Sequence, residues 1–336
     1  MTLVTVVFWD WPVRTRRLGK TDLEMTTVGL GTWAMGGPWE VGWGPQDDGE
    51  AIAAIAAAVE CGVNWIDTAP IYGCGHSEEL VGAALRHIRP RPLVATKCGM
   101  LWNDRRERVF CLKGESVRRE CEDSLRRLGI DVIDLYQIHR PTPEEDIEQA
   151  WEAMVALKEQ GKVRHIGVSA FSIDQMDRLA RIHPVESLQP IYSMLHRQIE
   201  PDVLSACEGK GIGLVTYSPL GRGLLTGRFT AETLASLAPD DHRLRIKDFQ
   251  HPQFEATLGL VDALWPLAKT AGVTLGQLAI AWVLRRPEVT SAIVGARSPG
   301  QIVETAPAGD VTLSKDILER IETLLMDRQE SLKQRV

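Results

Sequence analysis

Short apolar, β-rich runs alternate with amphipathic stretches along almost the whole chain. The runs are TVGLGTW (27–33), NWID (64–67), LVATK (93–97), VIDLYQIH (132–139), VRHIGVS (163–169), SLQPIYS (187–193), GLVTYSP (213–219) and SAIVGA (291–296). Several are nearly continuous in apolar residues, the pattern of strands covered on both faces. Between the first two, DDGEAIAAIAAAVECG sets Ile52, Ile55 and Val59 on one helical face and stops at Gly62. Ser/Thr-x-x-Glu/Gln segments at 142–145, 172–175, 274–277 and 298–301 fit reciprocal capping boxes, and two of them add Pro at the first helical position. Strand then helix, eight times, predicts an α/β fold, a (β/α)8 TIM barrel. A doubly wound open sheet is the structural alternative.

Two segments stand outside that alternation. TRRLGKTDLEMTT (15–27) predicts an N-terminal β-hairpin, turning at Gly19–Asp22 and closing the bottom of the barrel. The stretch 220–252, which contains DDHRLRIKDFQHP, has no helical period. An irregular segment of that length generally carries function, so long loops are expected at the C-terminal face. No linker or low-complexity tract is visible, and residues 1–336 read as one domain with 1–14 as an N-terminal extension.

Charge and cysteine usage narrow the partners. The formal net charge of -7 argues against a nucleic acid or an anionic membrane as the main partner, and leaves room for a local basic pocket. The six cysteines are scattered without a C-x-x-C pair, which fits reduced thiols and a cytoplasmic location. MTLVTVVFWDWPV at the start is apolar but short, carries Asp10 and lacks a basic leader. No segment reaches the roughly 18 apolar residues that a membrane span needs.

Candidate chemistry appears where barrel strands end, because side chains there face the active site of such folds. The second run ends on Asp67 with Tyr72 in the loop behind it, the third on Lys97 and the fourth on His139. Singly, an Asp-Tyr pair is a loop cap with a packing aromatic, a strand-end Lys is solvated, and a His before Arg-Pro is structural. Jointly, at three consecutive strand ends, they can converge, since parallel neighbours lie about 4.8 Å apart. A phenol has a free pKa of about 10. Lys97 is expected to lower that of Tyr72, Asp67 to hold Lys97 charged, and His139 to face a substrate oxygen. The set is a proton donor aimed at a carbonyl.

These segments resemble the aldo-keto reductases. GLGTWAMGG, NWIDTAPIYGCGHSEELVG, VATK, LYQIHRP, GKVRHIGVSAF, TYSPLGRGLLTG and GARSPGQIVET follow that family's landmarks in order, over about residues 15 to 325. The sequence looks more like the bacterial group that resembles the potassium-channel β subunits than like the aldose reductases. The resemblance implies a tetrad of Asp67, Tyr72, Lys97 and His139 with Tyr72 as general acid, and hydride transfer from a reduced nicotinamide to an aldehyde or ketone.

No strand–G-x-G-x-x-G–helix unit is present. Barrels commonly bind phosphate in the loops after strands seven and eight, here SPLGRGLLTGR (218–228) and GARSPGQ (295–301). Gly221 and Gly223 allow close backbone approach to a pyrophosphate, Arg222 adds charge, and Arg297 before a helix start suits a 2′-phosphate. That favours NADPH (NADP+) as cofactor. The resemblance further implies Tyr217 stacked on the nicotinamide, Ser169 and Gln189 on its carboxamide, Gln301 and Glu304 at the adenine end, and Thr32, Trp33, Ser218 and Leu220 beside the cofactor. Ala170 and Thr305 depart from the family pattern, which commonly has Asn at both places.

Trp33 and Trp102, with Tyr72 and His139, are expected in the substrate pocket, and Trp39 and Trp43 lie in loops on the same rim. Several tryptophans near one mouth suggest an apolar or sugar-stacking wall. The expected partner is a small-molecule carbonyl compound, with no metal. A non-catalytic nicotinamide-binding regulatory subunit is the alternative from another class. A barrel hydrolase or isomerase is a third, disfavoured by the lack of paired carboxylates or a second His at ligand spacing.

Overall fold

All eight predicted strands form, and they close on themselves. In the computed structural model, which describes residues 13–239 and 241–334, the barrel strands are β1 (Val28–Gly31), β2 (Trp65–Asp67), β3 (Leu93–Cys98), β4 (Ile133–Ile138), β5 (Val163–Ser169), β6 (Ser187–Gln189), β7 (Gly213–Tyr217) and β8 (Val289–Gly295). They run parallel in chain order, and β8 pairs with β1. The open-sheet alternative is thereby excluded. The N-terminal extension lies almost wholly outside the described residues.

Helices α1 (Asp48–Glu60), α2 (His76–Leu85), α3 (Gly114–Leu128), α4 (Ile147–Glu159), α5 (Ile173–Leu179) and α6 (Val203–Lys210) follow the first six strands. After β7 comes the long insertion, with a short helix α7 (Ala231–Ala235) and 3-10 turns, then α8 (Gln253–Ala271) and α9 (Leu275–Leu284). Helices α10 (Pro299–Thr305) and α11 (Lys315–Gln334) follow β8. Among the described residues no single helix is long and apolar enough to cross a membrane.

The hairpin forms as Thr15–Arg17 against Glu24–Thr26. It carries Leu18, Leu23 and Met25 onto the barrel interior, where they pack with Trp65, Ala95, Leu135, Val215 and Ile293. The interior is thus filled from below and left open above. Trp65 fits because its neighbour on the adjacent strand β1 is Gly29, at which a Cβ would lie 2.0 Å from the indole.

Sequence and structure part company at element ends. The sixth apolar run extends to 193, but β6 stops at Gln189, since Pro190 has no N–H to extend the ladder. The reciprocal capping boxes at Ser172–Gln175 and Thr274–Gln277 are formed, and the other two are not. At 142–145, Pro143 opens a 3-10 turn without a side-chain cap, and α4 begins only at Ile147. At 298–301, Gln301 accepts instead from the Arg297 N–H at 2.7 Å.

A hairpin missed by the sequence pattern, Met100–Trp102 against Arg108–Phe110, rises from the end of β3. Gly99 begins it at φ +84°, and the Gly99 N–H donates to the Glu120 carboxyl at 2.9 Å, with the Ser116 hydroxyl on the other oxygen at 3.1 Å. Glu120 is buried, and no basic side chain among the described residues pairs with it. Burial pushes its pKa up from 4.5 to about 7, against these two hydrogen bonds. A raised carboxyl pKa adds stability that is complete below the unfolded value and lost as pH rises through the folded one. Glu120→Gln is therefore expected to match the wild type near pH 4.5 and to exceed it by about 1–2 kcal/mol at pH 8, part of the roughly 3 kcal/mol ceiling being lost to relaxation. Urea unfolding at both pH values checks this, and a gap that does not change with pH refutes it.

Candidate active site

Strand register sets the upper layer of the barrel. Asp67 pairs with Ala95, Lys97 with Gln137 and Ser169 with Gln189. Residues two apart on a strand share a face, so Asp67, Lys97, Gln137, Ser169 and Gln189 all point inward. Lys97 is fully buried, and its Nζ donates to Asp67 Oδ1 at 2.7 Å, Asp67 Oδ2 at 2.9 Å and the Thr68 carbonyl at 2.9 Å. The Tyr72 hydroxyl lies 3.3 Å from the same nitrogen. From the facing strand β6, Gln189 Nε2 donates to Asp67 Oδ2 at 2.8 Å and to Gln137 Oε1 at 3.0 Å. A buried charge needs a partner and saturated hydrogen bonds; here Asp67, Thr68 and Tyr72 supply them to Lys97, and Gln189 adds one to Asp67.

Tyr72 reaches this layer from the loop after β2 because the next residue is Gly73. It sits at φ +65°, and a Cβ there would lie 2.0 Å from the Gly36 carbonyl oxygen. Only glycine permits this close crossing of the loops after β1 and β2. The His139 ring stands edge-on to the phenol with centroids 5.7 Å apart; the residue is held through its backbone N–H, which donates to the Cys98 carbonyl at 2.9 Å, and its ring Nδ1 is buried with no partner among the described residues.

The electrostatics correct one expectation. Tyr72 was expected below the ordinary phenol pKa, yet burial raises it, and the opposing pull of Lys97 does not offset that. Burial lowers Lys97 in turn, but Asp67 and Tyr72 outweigh it and the net shift is upward. The resting pair is a protonated phenol against a charged ammonium. His139 is held well below 6.5 by burial, then by Lys97, Arg140 and Arg108, so its imidazole is neutral. The arrangement can donate a proton and a hydrogen bond to one oxygen atom placed between Tyr72 and His139.

Above the tetrad opens a cavity of about 710 Å³, within the range of cofactor sites. Of the residues expected there, Trp33, Ser169, Gln189, Tyr217, Ser218, Leu220, Arg222, Gly223, Arg297, Gln301 and Glu304 line it, as do Thr305, Trp39 and Trp43. Three expected residues do not. Thr32 is fully buried, its hydroxyl held by the Asp67 carbonyl at 3.2 Å and Ser77 Oγ at 2.7 Å. Gly221 is turned against Leu195. Trp102 leaves the mouth because its indole lies over the Arg127 guanidinium at 5.9 Å.

The remaining side chains fit a nucleotide cofactor unevenly. Gly221, Arg222 and Gly223 are three consecutive left-handed residues, but the N–H groups of Gly221 and Gly223 donate within the loop, to the Ser218 and Leu220 carbonyls at 3.0 and 3.1 Å, so charge here comes from the Arg222 side chain. Arg222 Nε is buried with no partner, and its nearest acid, Asp248, is 3.6 Å away and already bonded to His196 at 2.8 Å. Arg297 is engaged instead with neutral groups, Gln46 Oε1 at 2.6 Å and the carbonyls of Trp43 and Pro45. Gln189 has both amide hydrogens committed, which leaves its Oε1 for a ligand. Arg108, Phe110, Arg140, Phe229, His242 and Arg243 also line the cavity and were not singled out from the sequence; Arg108 and Phe110 sit on the missed hairpin, Phe229, His242 and Arg243 on the long irregular segment expected to carry function, and Arg140 directly after His139.

Comparison with known proteins completes the picture. Residues 27–326 match the Aldo/keto reductase family. The chain is 39% identical over 311 residues to the aldo-keto reductase YhdN of Bacillus subtilis (strain 168), covering 92% of each. It is 34% identical over 327 residues to the NADH-specific methylglyoxal reductase of Escherichia coli (strain K12), covering 91% of this chain and 98% of the relative. Among solved structures, the glycerol dehydrogenase of Gluconobacter oxydans superposes with a TM-score of 0.85 at 37% identity, over 94% of this chain and 95% of that one. An aldo-keto reductase of Bacillus halodurans in its holo form gives 0.78 at 25%, over 93% and 96%.

Proposed function

The chain belongs to the aldo/keto reductase family, and from that premise we propose that it reduces a small aldehyde or ketone to the alcohol with NADPH. The observation that carries this reading is the protonated Tyr72 hydroxyl 3.3 Å from a buried, charged Lys97 and beside a neutral His139. The names of two relatives, a methylglyoxal reductase and a glycerol dehydrogenase, support a small oxygenated substrate.

The bound cofactor supplies the hydride that adds to the carbonyl carbon. The carbonyl oxygen lies between Tyr72 and His139. His139 donates a hydrogen bond to it without carrying a charge that would pair with the developing oxyanion. As the oxygen gains electrons, the Tyr72 O–H bond breaks toward it, and Lys97 holds the phenolate left behind. Asp67 keeps Lys97 charged and aimed, and Gln189 keeps Asp67 in place. Tyr217 and Ser169 would hold the nicotinamide end of the cofactor, Arg222 the diphosphate, and Arg297, which pairs with no carboxylate among the described residues, the 2′-phosphate. The test is NADPH consumption on addition of methylglyoxal or an activated benzaldehyde. Purified protein that binds NADPH yet consumes none with either would refute the reading.

Ala170 gives a separate handle. It sits at φ +58°, a conformation that costs most L-residues about 1–2 kcal/mol and that Asn tolerates. Asn at this place thus has a backbone reason as well as a cofactor one. Ala170→Asn is expected to raise apo stability by a part of that cost, and to tighten NADPH by about 0.5–1.5 kcal/mol through one added hydrogen bond. Thermal unfolding reads the first and fluorescence titration the second. A gain in stability with no gain in affinity would remove the carboxamide contact and leave the backbone argument.

A further inference from the structure

Six arginines line the cavity: Arg108, Arg140, Arg222, Arg228, Arg243 and Arg297. Three carry an acidic partner of their own, Arg108 with Glu40 at 2.8 Å, Arg243 with Asp241 at 2.7 Å and Arg228 with Glu304. Arg222 and Arg297 are taken above for the phosphates of the cofactor. Arg140 is left. Among the described residues the one hydrogen bond of its guanidinium is to the Tyr217 hydroxyl at 3.5 Å, and no carboxylate there pairs with it. It follows His139 directly, and its charge is among those that keep the His139 imidazole neutral. An unpaired, partly buried guanidinium beside the reacting position is costly unless a ligand supplies the counter-charge. Its planar fork matches a carboxylate or phosphate through two parallel hydrogen bonds.

We propose that the carbonyl substrate carries an oxyanion, a carboxylate or a phosphate, and that Arg140 recognises it. The inference rests on the reductase reading and adds the substrate class to it. In a chain of net charge -7, this local positive mouth also concentrates anionic substrates at the entrance. Arg108, already neutralised by Glu40, is a weaker second contact.

The test uses matched pairs at saturating NADPH: 4-formylbenzoate against its methyl ester, and glyceraldehyde 3-phosphate against glyceraldehyde. Wild-type protein is expected to favour the anionic member of at least one pair by tenfold or more in kcat/KM, mainly through KM, and less so as salt is added. The pair that shows the preference tells carboxylate from phosphate. Arg140→Gln is expected to lower that anionic-to-neutral ratio at least tenfold, and Arg140→Lys to retain part of it. A wild-type ratio at or below one in both pairs overturns the proposal whatever the variants do. A loss in Arg140→Gln that is equal for both members also overturns it and places Arg140 with the cofactor. No turnover of any of the four compounds, with methylglyoxal reduced, overturns the proposal; no turnover of the four or of methylglyoxal overturns the reductase reading itself.

Discussion

Tyr72→Phe is expected to lower the rate of carbonyl reduction by about 10²–10⁴-fold, the usual worth of a general acid, while NADPH affinity stays nearly unchanged. The ring, its edge-on contact with His139 and the crossing at Gly73 all remain, and only the transferable proton is lost. Stopped-flow hydride transfer beside a fluorescence titration of cofactor measures both. Retention of most activity would remove Tyr72 from the acid role. Lys97→Met is expected to act in the same direction, because the phenolate then loses the cation that faces it. That variant strands the Asp67 carboxylate, and breaking a buried pair costs about 3–5 kcal/mol. The double variant Asp67→Asn with Lys97→Met removes both charges and keeps the test interpretable if the single change unfolds the protein. Either variant, once folded, should bind cofactor and fail to reduce.

Arg297→Ala is expected to weaken NADPH by about one to two decades, the equivalent of a charge-assisted bond worth roughly 1.5–3 kcal/mol, and to change NADH far less. The structure sharpens the alternative. Arg297 also ties the loop after β1 through Gln46, Trp43 and Pro45, so equal weakening of both cofactors would mean that it serves that loop and not a phosphate. The NADH specificity in the name of one relative makes this measurement the one that decides cofactor choice. Paired dissociation constants for wild type and variant are sufficient.

The fold was legible because strands buried on both faces leave apolar runs whose ends are the site. Asp67, Lys97 and His139 could be read as strand ends, and register then brought their neighbours Gln189 and Ser169 to the same layer. What did not carry over depends on packing between segments far apart in sequence. Trp102 looked like a pocket wall until Arg127, from α3, drew its indole aside. Thr32 looked like a cofactor contact until Ser77 took its hydroxyl. The acidity of Tyr72 was misjudged because a neighbouring charge is visible in a sequence and the depth of burial is not. Arg140 was present in a quoted motif, yet its lack of a partner could be known only from the surroundings.

The closeness of Gly29 to the Trp65 indole has a consequence for how the barrel interior can diverge. The two positions cannot change independently. A side chain at position 29 has no room while the indole is there, and shrinking the indole first leaves a void beneath the tetrad and takes away the N–H that now donates to Ser291 Oγ at 3.0 Å. Any lineage that acquires a larger residue at 29 must therefore have passed through a smaller one at 65. The order of substitutions in this interior is fixed by geometry, not by chance.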